Sequence, residues 1–545
     1  MFLNSSSSSF FKDYISNSFS ILHLMQILKI VSLLFILLLL SSCEGGITFD
    51  ENEISMEKKI KKFLTDNKLH ELGIDQLGVN VLNEFYKTNE YHPKWIQKSS
   101  LTKEGKELKK LLLNTFKFGI PANRYPFLKS ENSSILKDEL MITLTLAYFA
   151  NDLKIGFIDT STTSLKPLIA VSIGELKKIT EFNDAISLSR QLIQFGPSDT
   201  NYQKLAVGLV NFCSNYPVDT TRYFIQSSNK DSIIIKSQSR KALFSKGYLA
   251  NVNGIDSLFY TALKLFQTQN GLTNDGKIGF YTVLALNESS HHKLLRTSLT
   301  MEKWRWKNQY PKKFIQINIP EYKLRLFEND SLLTTHRIIV GKPVHQTPEL
   351  NSKIRQIVLF PYWHVPNSIA RNEMLLKVRK DSDYFKKNEL RIFKNEKEID
   401  PHSVNWQKVK DNTFPYAVRQ DYGPKNSLGI LKFEFFNPFS VYIHDTPEKS
   451  LFNKEIRSFS HGCIRCENPV ELVKLIVEND STSRRKNKLN AISLDSLLQI
   501  EQTYFINLVK KIPLFVEYKT VTIQNNFLLF HHDIYGKDEK YIALF

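Results

Sequence analysis

Cysteine is scarce in this chain: four residues among 545, namely Cys43, Cys213, Cys463 and Cys466. That excludes the disulfide framework that staples small secreted domains, so the fold must rest on buried side chains. With 42% apolar and 12% aromatic residues, the length suffices for roughly two to four domains. Acidic charge is in deficit, 55 Asp and Glu against 73 Lys and Arg, for a formal net charge of +18. A basic balance favours anionic partners such as nucleic acid, a membrane surface or a carboxylate-bearing polymer, but it also follows from a codon bias towards Lys, Asn and Ile. Without a dense basic block, charge alone decides nothing. Metal-ligand spacing is missing as well: His291-His292 and His531-His532-Asp533 read as surface or turn histidines, and neither a metal nor an organic cofactor is expected.

Long apolar runs are absent but for one. Ile30 to Leu40 is too short for a spanning helix and right for the hydrophobic region of a signal peptide. Leu40-Ser41-Ser42-Cys43 closes it, and small residues before a cysteine resemble the lipobox of bacterial lipoproteins, whose cysteine is lipid-modified and becomes the new N-terminus. The resemblance implies a signal peptide over residues 1–43 and lipidation at Cys43. It also implies an exported, membrane-anchored protein facing the periplasm, on the inner or the outer membrane. Met25 with Lys29 supplies a compact n-region by itself, which makes Met25 a possible true start. The alternative is an uncleaved anchor; both readings tether the chain outside the cytoplasm, away from nucleic acid.

Residues 44–55 are polar and read as a tether. Residues 56–235 read as a helical scaffold: Leu108, Leu111, Leu112 and Phe116 have helical spacing, Leu140 to Leu153 is an apolar helix, and Gly119, Pro121, Gly196 and Pro197 punctuate. The aromatic cluster Phe85-Tyr86 and Tyr91-His92-Pro93-Lys94-Trp95 reads as interior packing. Residues 236–288 read as a compact three-helix unit and 289–310 as a linker returning to the scaffold. From Phe314 the period switches to two, so a β-rich domain is expected over residues 311–480, with a helical, charged, lid-like insertion at about 368–425. Residues 481–545 read as an extension packing on it, and the fold class is multi-domain α+β.

The chemistry concentrates in Ser460-His461-Gly462-Cys463-Ile464-Arg465, with His444 in Tyr442-Ile443-His444-Asp445-Thr446-Pro447 upstream. A thiol attacks carbonyls only as thiolate and needs a neighbour that takes its proton. His444 is the expected base, since a residue on an adjacent strand can reach the thiol, and His461 can orient the site or line an oxyanion pocket. Gly462 permits close approach, and the amides of Gly462 and Cys463 can face a developing oxyanion. Arg465 shares a side with Cys463 in an extended segment and suits a substrate carboxylate. Ser460 and Tyr442 flank the same site as substrate contacts.

His444, fifteen intervening residues, then Ser460-His461-Gly462-Cys463-x-Arg465 resembles the active-site signature of the L,D-transpeptidases of YkuD type. Pro343 to Pro348, Phe360-Pro361-Tyr362-Trp363-His364-Val365-Pro366, Ser368-Ile369-Ala370-Arg371, Gly423-Pro424-x-Asn426-x-Leu428-Gly429 and Asp533-Ile534-Tyr535-Gly536 resemble its large, multi-domain subfamily. In residues 236–288, Phe266-Gln267, Gly271-Leu272, Asp275-Gly276 and Thr282 to Asn287 resemble the peptidoglycan-binding domain family. These resemblances imply a cysteine acylated by a peptidoglycan stem peptide and resolved by an amine of a neighbouring strand. The implied partners are stem peptides, glycan strands and, through the lipid, a membrane. Two alternatives stay open: hydrolysis at the same site, as an L,D-carboxypeptidase or crosslink hydrolase, and a non-catalytic wall-binding lipoprotein. Cys466 departs from the pattern. Cys463-Ile464-Arg465-Cys466 admits a redox pair, although a buried small residue is the expected role for Cys466.

Overall fold

The computed structural model describes residues 51–545 except 67–68, 70–73, 122, 129–133, 183, 219, 227–231, 307–309, 411–413 and 479–490. Cys43 and the apolar run before it lie outside the described residues, and among the described residues no helix is long and apolar enough to cross a membrane.

The N-terminal half is helical: α1 (Glu51–Thr65), α2 (Gln76–Thr88), α3 (Lys103–Leu112), α4 (Ile135–Ile155), α5 (Ile173–Ile179), α6 (Ala185–Phe195) and α7 (Thr200–Asn215). Helix α1 starts inside the stretch read as a tether. Helix α4 is apolar around most of its circumference, and every residue from Glu139 to Leu153 is buried, which makes it the axis of this body. Of its two buried acids, Asp152 accepts Arg124 and Tyr125, and Glu139 organises the aromatic cluster. Glu139 accepts the backbone N–H groups of Lys94 (2.6 Å) and Trp95 (2.8 Å) and the Tyr86 hydroxyl (2.8 Å). Burial pushes this carboxyl up to about 7.

Helices α8 (Ser232–Ser245), α9 (Asp256–Gln269) and α10 (Phe280–Asn287) share a separate core around Leu243, Phe259, Phe266 and Leu286. The polar residues of its motif are consumed internally. Gln267 donates to Asp275 Oδ1 (3.0 Å) and the Lys277 carbonyl (2.9 Å) and accepts the Gly276 N–H (2.8 Å), while Asn287 pairs with both backbone groups of Ile225. They hold turns.

The segment read as a linker is a buried helix, α11 (Ser290–Arg305). Leu299 joins the α4 core, whereas Leu294, Met301 and Trp304 join α7 and a C-terminal hairpin. Its charges are buried but partnered: Arg296 donates to Glu288 (2.9 Å), Lys303 to Asp538 (2.7 Å), and Glu302 accepts the N–H groups of Phe157 (2.7 Å) and Ile158 (2.9 Å). Alternating charge concealed this role, because Lys, Arg and Glu read as a solvated face until their partners, distant in sequence, are known.

The second half is a sheet built from β1 (Lys313–Asn318), β2 (Lys323–Glu328), β3 (Ser331–Gly341) and β4 (Leu350–Leu359), followed by the insertion strands β5 (Trp363–His364), β6 (Leu390–Lys394), β7 (Lys397–Ile399) and β8 (Ala417–Gln420). It continues with β9 (Leu431–Phe435), β10 (Ile443–His444), β11 (Ser458–Ser460), β12 (Ile464–Cys466) and β13 (Tyr504–Glu517). The spatial order is β11-β3-β12-β10-β9-β4-β13-β1-β2, and a further β2–β3 pairing closes the sheet on itself. Strand β13 corrects the expected C-terminal extension: it runs antiparallel to β4 and parallel to β1, inside the sheet. A bulge between Asn507 and Ile512 breaks its alternation, which hid it. The hairpin β14 (Val521–Gln524) and β15 (Phe527–Phe530) then packs on α7 and α11. Strand β1 also departs from half-burial: Gln316 and Asn318, alternate with Ile315 and Ile317, are buried and bonded to Glu517 (3.0 Å) and the Lys519 carbonyl (3.0 Å).

The insertion has its own core, including Leu375, Phe385, Ile392 and Trp406, and its own sheet in the order β7-β6-β8-β5. It stands over one end of the closed sheet.

Candidate active site

A cleft of about 910 Å³ lies between the insertion and the closed sheet, lined by Cys463, His444, Tyr442, Ser460, His461 and Arg465. Its floor follows from strand order. The chain leaves β11 at Ser460, turns through His461-Gly462-Cys463 and re-enters the sheet as β12, beside β10, with Ile443 opposite Ile464 and His444 opposite Arg465. On β12 Ile464 and Cys466 are buried in the core, so Cys463 and Arg465 fall on the cleft side. That parity separates the two cysteines: Cys466 faces the opposite side of the strand, its Sγ 3.4 Å from the Glu467 carbonyl. A disulfide between Cys463 and Cys466 would require rebuilding β12.

The turn is held from below. Gly462 has φ +109°, a value that favours glycine. Its carbonyl accepts Thr347 Oγ1 (2.9 Å), which in turn accepts the Gly341 N–H (2.9 Å). Tyr535 donates to the Gly341 carbonyl (2.8 Å) and accepts the Thr347 N–H (3.1 Å), so the C-terminal Asp-Ile-Tyr-Gly segment braces the reactive turn. Two sequence expectations need correction here. The Gly462 N–H donates to Ser460 Oγ (3.1 Å) and is not aimed at an oxyanion; the Cys463 N–H, without a protein acceptor among the described residues, is the amide that is left. Ser460 Oγ also donates to the Cys463 carbonyl (2.5 Å), which makes it a staple of the turn in place of a substrate contact.

His444 is buried, and its Nδ1 meets the Asp445 carbonyl at 2.5 Å. A carbonyl can only accept, so Nδ1 carries the proton and Nε2 is left as the acceptor. Burial, reinforced by Arg465 and Lys432, pushes this imidazole down to about 3. Burial also pushes the Cys463 thiol up, against the opposing effects of Tyr442, Lys432 and Arg465. At neutral pH the pair is thus a thiol and a neutral imidazole. Tyr442 meets His444 edge to face, ring centroids 5.6 Å apart and planes 62° apart, with Lys432 Nζ 4.4 Å from the Tyr442 ring. Asp445 is itself fixed: it accepts the Ile430 N–H (3.1 Å) and pairs with Lys449, and at Gly429 (φ +59°) an added Cβ would overlap its carboxylate.

Sequence reasoning missed several groups. Arg465 Nη1 is paired with Glu448, while its Nε is buried without a partner among the described residues. His461 Nε2 meets Glu373 of the insertion, and its ring lies 5.0 Å from that of His345. Glu448 carried no signal beyond following Thr446-Pro447, and Glu373 carried none. Among the described residues no group of three or more His, Cys, Asp or Glu is arranged to hold a metal ion.

Comparison with known proteins agrees with this geometry. Residues 312–483 match the family described as the L,D-transpeptidase catalytic domain (YkuD), and residues 80–209 match the Scaffold domain family. Over 228 residues the chain is 33% identical to a Haemophilus influenzae protein named "Putative L,D-transpeptidase". That alignment covers 42% of this chain and 45% of the relative, so the chain spans less than half the length of the relative it matches. A crystal structure of an L,D-transpeptidase (Yku) from Stackebrandtia nassauensis aligns over 55% of this chain and 97% of that one, at 14% identity and a TM-score of 0.18, a score that carries no argument. The chain carries an L,D-transpeptidase catalytic domain of YkuD type over residues 312–483, together with a Scaffold domain over residues 80–209.

Proposed function

We propose that this protein crosslinks peptidoglycan through a thioester on Cys463. The observation that carries the reading is that a cleft-facing thiol and a buried imidazole whose free nitrogen is an acceptor line the same cleft from adjacent strands. As Cys463 Sγ attacks the stem-peptide carbonyl, its proton passes to His444 Nε2, and the developing oxyanion is met by the Cys463 N–H. The C–N bond breaks, the leaving amine takes the proton from His444, and a thioester remains. An amine of a second stem peptide then gives its proton to His444, attacks, and breaks the C–S bond, and the departing Cys463 thiolate takes that proton back from His444, which restores the resting thiol and neutral imidazole. Arg465 holds a substrate carboxylate once Glu448 has let go of it.

The proposed setting is the periplasmic face of a membrane, with a lipid on Cys43, a residue outside the described part of the chain. The α8–α10 unit is proposed to hold glycan strands through residues other than Gln267, Asp275 and Asn287, which are engaged within it. Incubation with purified stem peptides, followed by mass spectrometry, tests the reading. A Cys463 acyl adduct and a crosslinked dimer are expected, and Cys463→Ala is expected to form neither. Trimmed monomer without dimer would replace transfer by hydrolysis, and no product at all would overturn the assignment.

A further inference from the structure

A carboxylate of unusual placement on the insertion meets the turn that carries Cys463. Glu373 lies on a π-helical turn, Ala370–Met374. Such a turn carries an extra residue and rotates the side chains that follow, a feature that recurs at functional sites. Its Oε1 meets His461 Nε2 although the two residues are 88 apart in sequence. His345 packs against the same imidazole with ring planes 32° apart, so His461 is held from both walls of the cleft. His461 is two residues before Cys463 and adjoins Gly462, whose φ of +109° sets the direction of the thiol.

Two further observations make this contact more than a surface ion pair. The insertion has a core of its own, and Asn426 Nδ2, donating to the Pro361 carbonyl (3.1 Å), ties its entering and leaving ends to each other, so it forms a unit distinct from the sheet. The Glu373 and His461 side chains are 38% and 31% exposed, an environment in which a single polar contact changes a two-state population only a few-fold. That strength suits a contact that must form and release in every cycle, and is too small to matter for global stability.

We infer that Glu373 is a positioning residue supplied by the insertion. When the insertion closes over the cleft, its carboxylate accepts the Nε2–H of His461, fixes which ring nitrogen carries the proton, and holds the His461-Gly462-Cys463 turn in its reacting geometry. Closure and assembly of the site are one event. The part of this that concerns turnover rests on the acyl-transfer reading; the closing contact does not.

The test uses the full chain with Glu373→Ala, Glu373→Gln and Glu373→Asp. Alkylation of Cys463 by iodoacetamide, without substrate and read by peptide mass mapping with buried Cys466 as internal control, reports access to the cleft. The expected result for Glu373→Ala is alkylation about threefold faster, turnover of a stem-peptide donor about tenfold slower in kcat, and an unchanged melting temperature. Glu373→Asp is expected to recover part of both changes, and Glu373→Gln to fall between. An unchanged alkylation rate in Glu373→Ala would overturn the inference, as would alkylation, kcat and melting temperature all falling together, which marks a purely structural role. Wild-type protein that forms no acyl adduct would defeat the proposed function while leaving the alkylation comparison intact.

Discussion

His444, pushed down to about 3 by its burial, stays neutral at any pH above about 4. In the proposed mechanism its neutral form is the one that takes the proton, and that form is lost only as pH falls through that value. The acid limb in the rate of Cys463 acylation is therefore expected near pH 3–4 and not near the 6.5 of free imidazole. Mass-spectrometric adduct formation across pH measures it, and a limb between 6 and 7 would move the base to another group. Gly429→Ala tests the support beneath: its φ of +59° and the overlap with Asp445 should cost about 1–3 kcal/mol and shift the carbonyl that orients His444. Cys463 and His444 were legible because their spacing puts them on neighbouring strands whatever the insertion does. Ser460 and Gly462 were misread because hydrogen bonds within a tight turn leave no pattern in sequence. Glu373 and Glu448 were illegible because their partners, His461 and Arg465, are 88 and 17 residues away.

Among elements, α4 shows how a burial pattern becomes a measurable pH response. Glu139 has a carboxyl raised from 4.5 to about 7 in the folded protein. Folding therefore favours its protonated form, and the associated stability is complete below pH 4.5 and lost as pH rises through 7. Measured against Glu139→Gln, which removes this titration, wild-type stability is expected to decline between pH 5 and 7.5 by about 2–3 kcal/mol at most. Parallel curves in thermal melts would mean that Glu139 is ionised throughout. Helix α4 was readable from its apolar run, as were β1 to β3 from alternation. Strand β13 was not: Lys510, Lys511 and Pro513 interrupt its pattern, and only the partners β4 and β1 show that it lies inside the sheet.

At the scale of the whole molecule, α11 is the axle through which scaffold, hairpin and catalytic sheet meet. Arg296 donates to Glu288 and to the Thr520 carbonyl (3.2 Å), linking the end of the three-helix unit to the hairpin. Arg296→Ala leaves Glu288 buried without its main partner and should cost about 3–5 kcal/mol, read as a lowered denaturation midpoint. A midpoint within error of wild type would show the network to be dispensable. Truncation after residue 503 removes β13 and is expected to abolish soluble catalytic domain, even though the family match ends at residue 483. The way α11 locks these parts together could not be read in advance, since it depends on charges that find partners more than 200 residues away, as Lys303 does in Asp538.

The place of β13 between β4 and β1 also sets a schedule. A chain emerges N-terminus first, so the turn bearing Cys463 is made before the strand that completes the sheet around it. Until residues 504–517 arrive, β4 and β1 have no common neighbour and the sheet cannot close. A nascent molecule thus carries its thiol in an open sheet, and the acyl transfer proposed for Cys463 must wait until the chain has been delivered far enough for its own late segment to close that sheet.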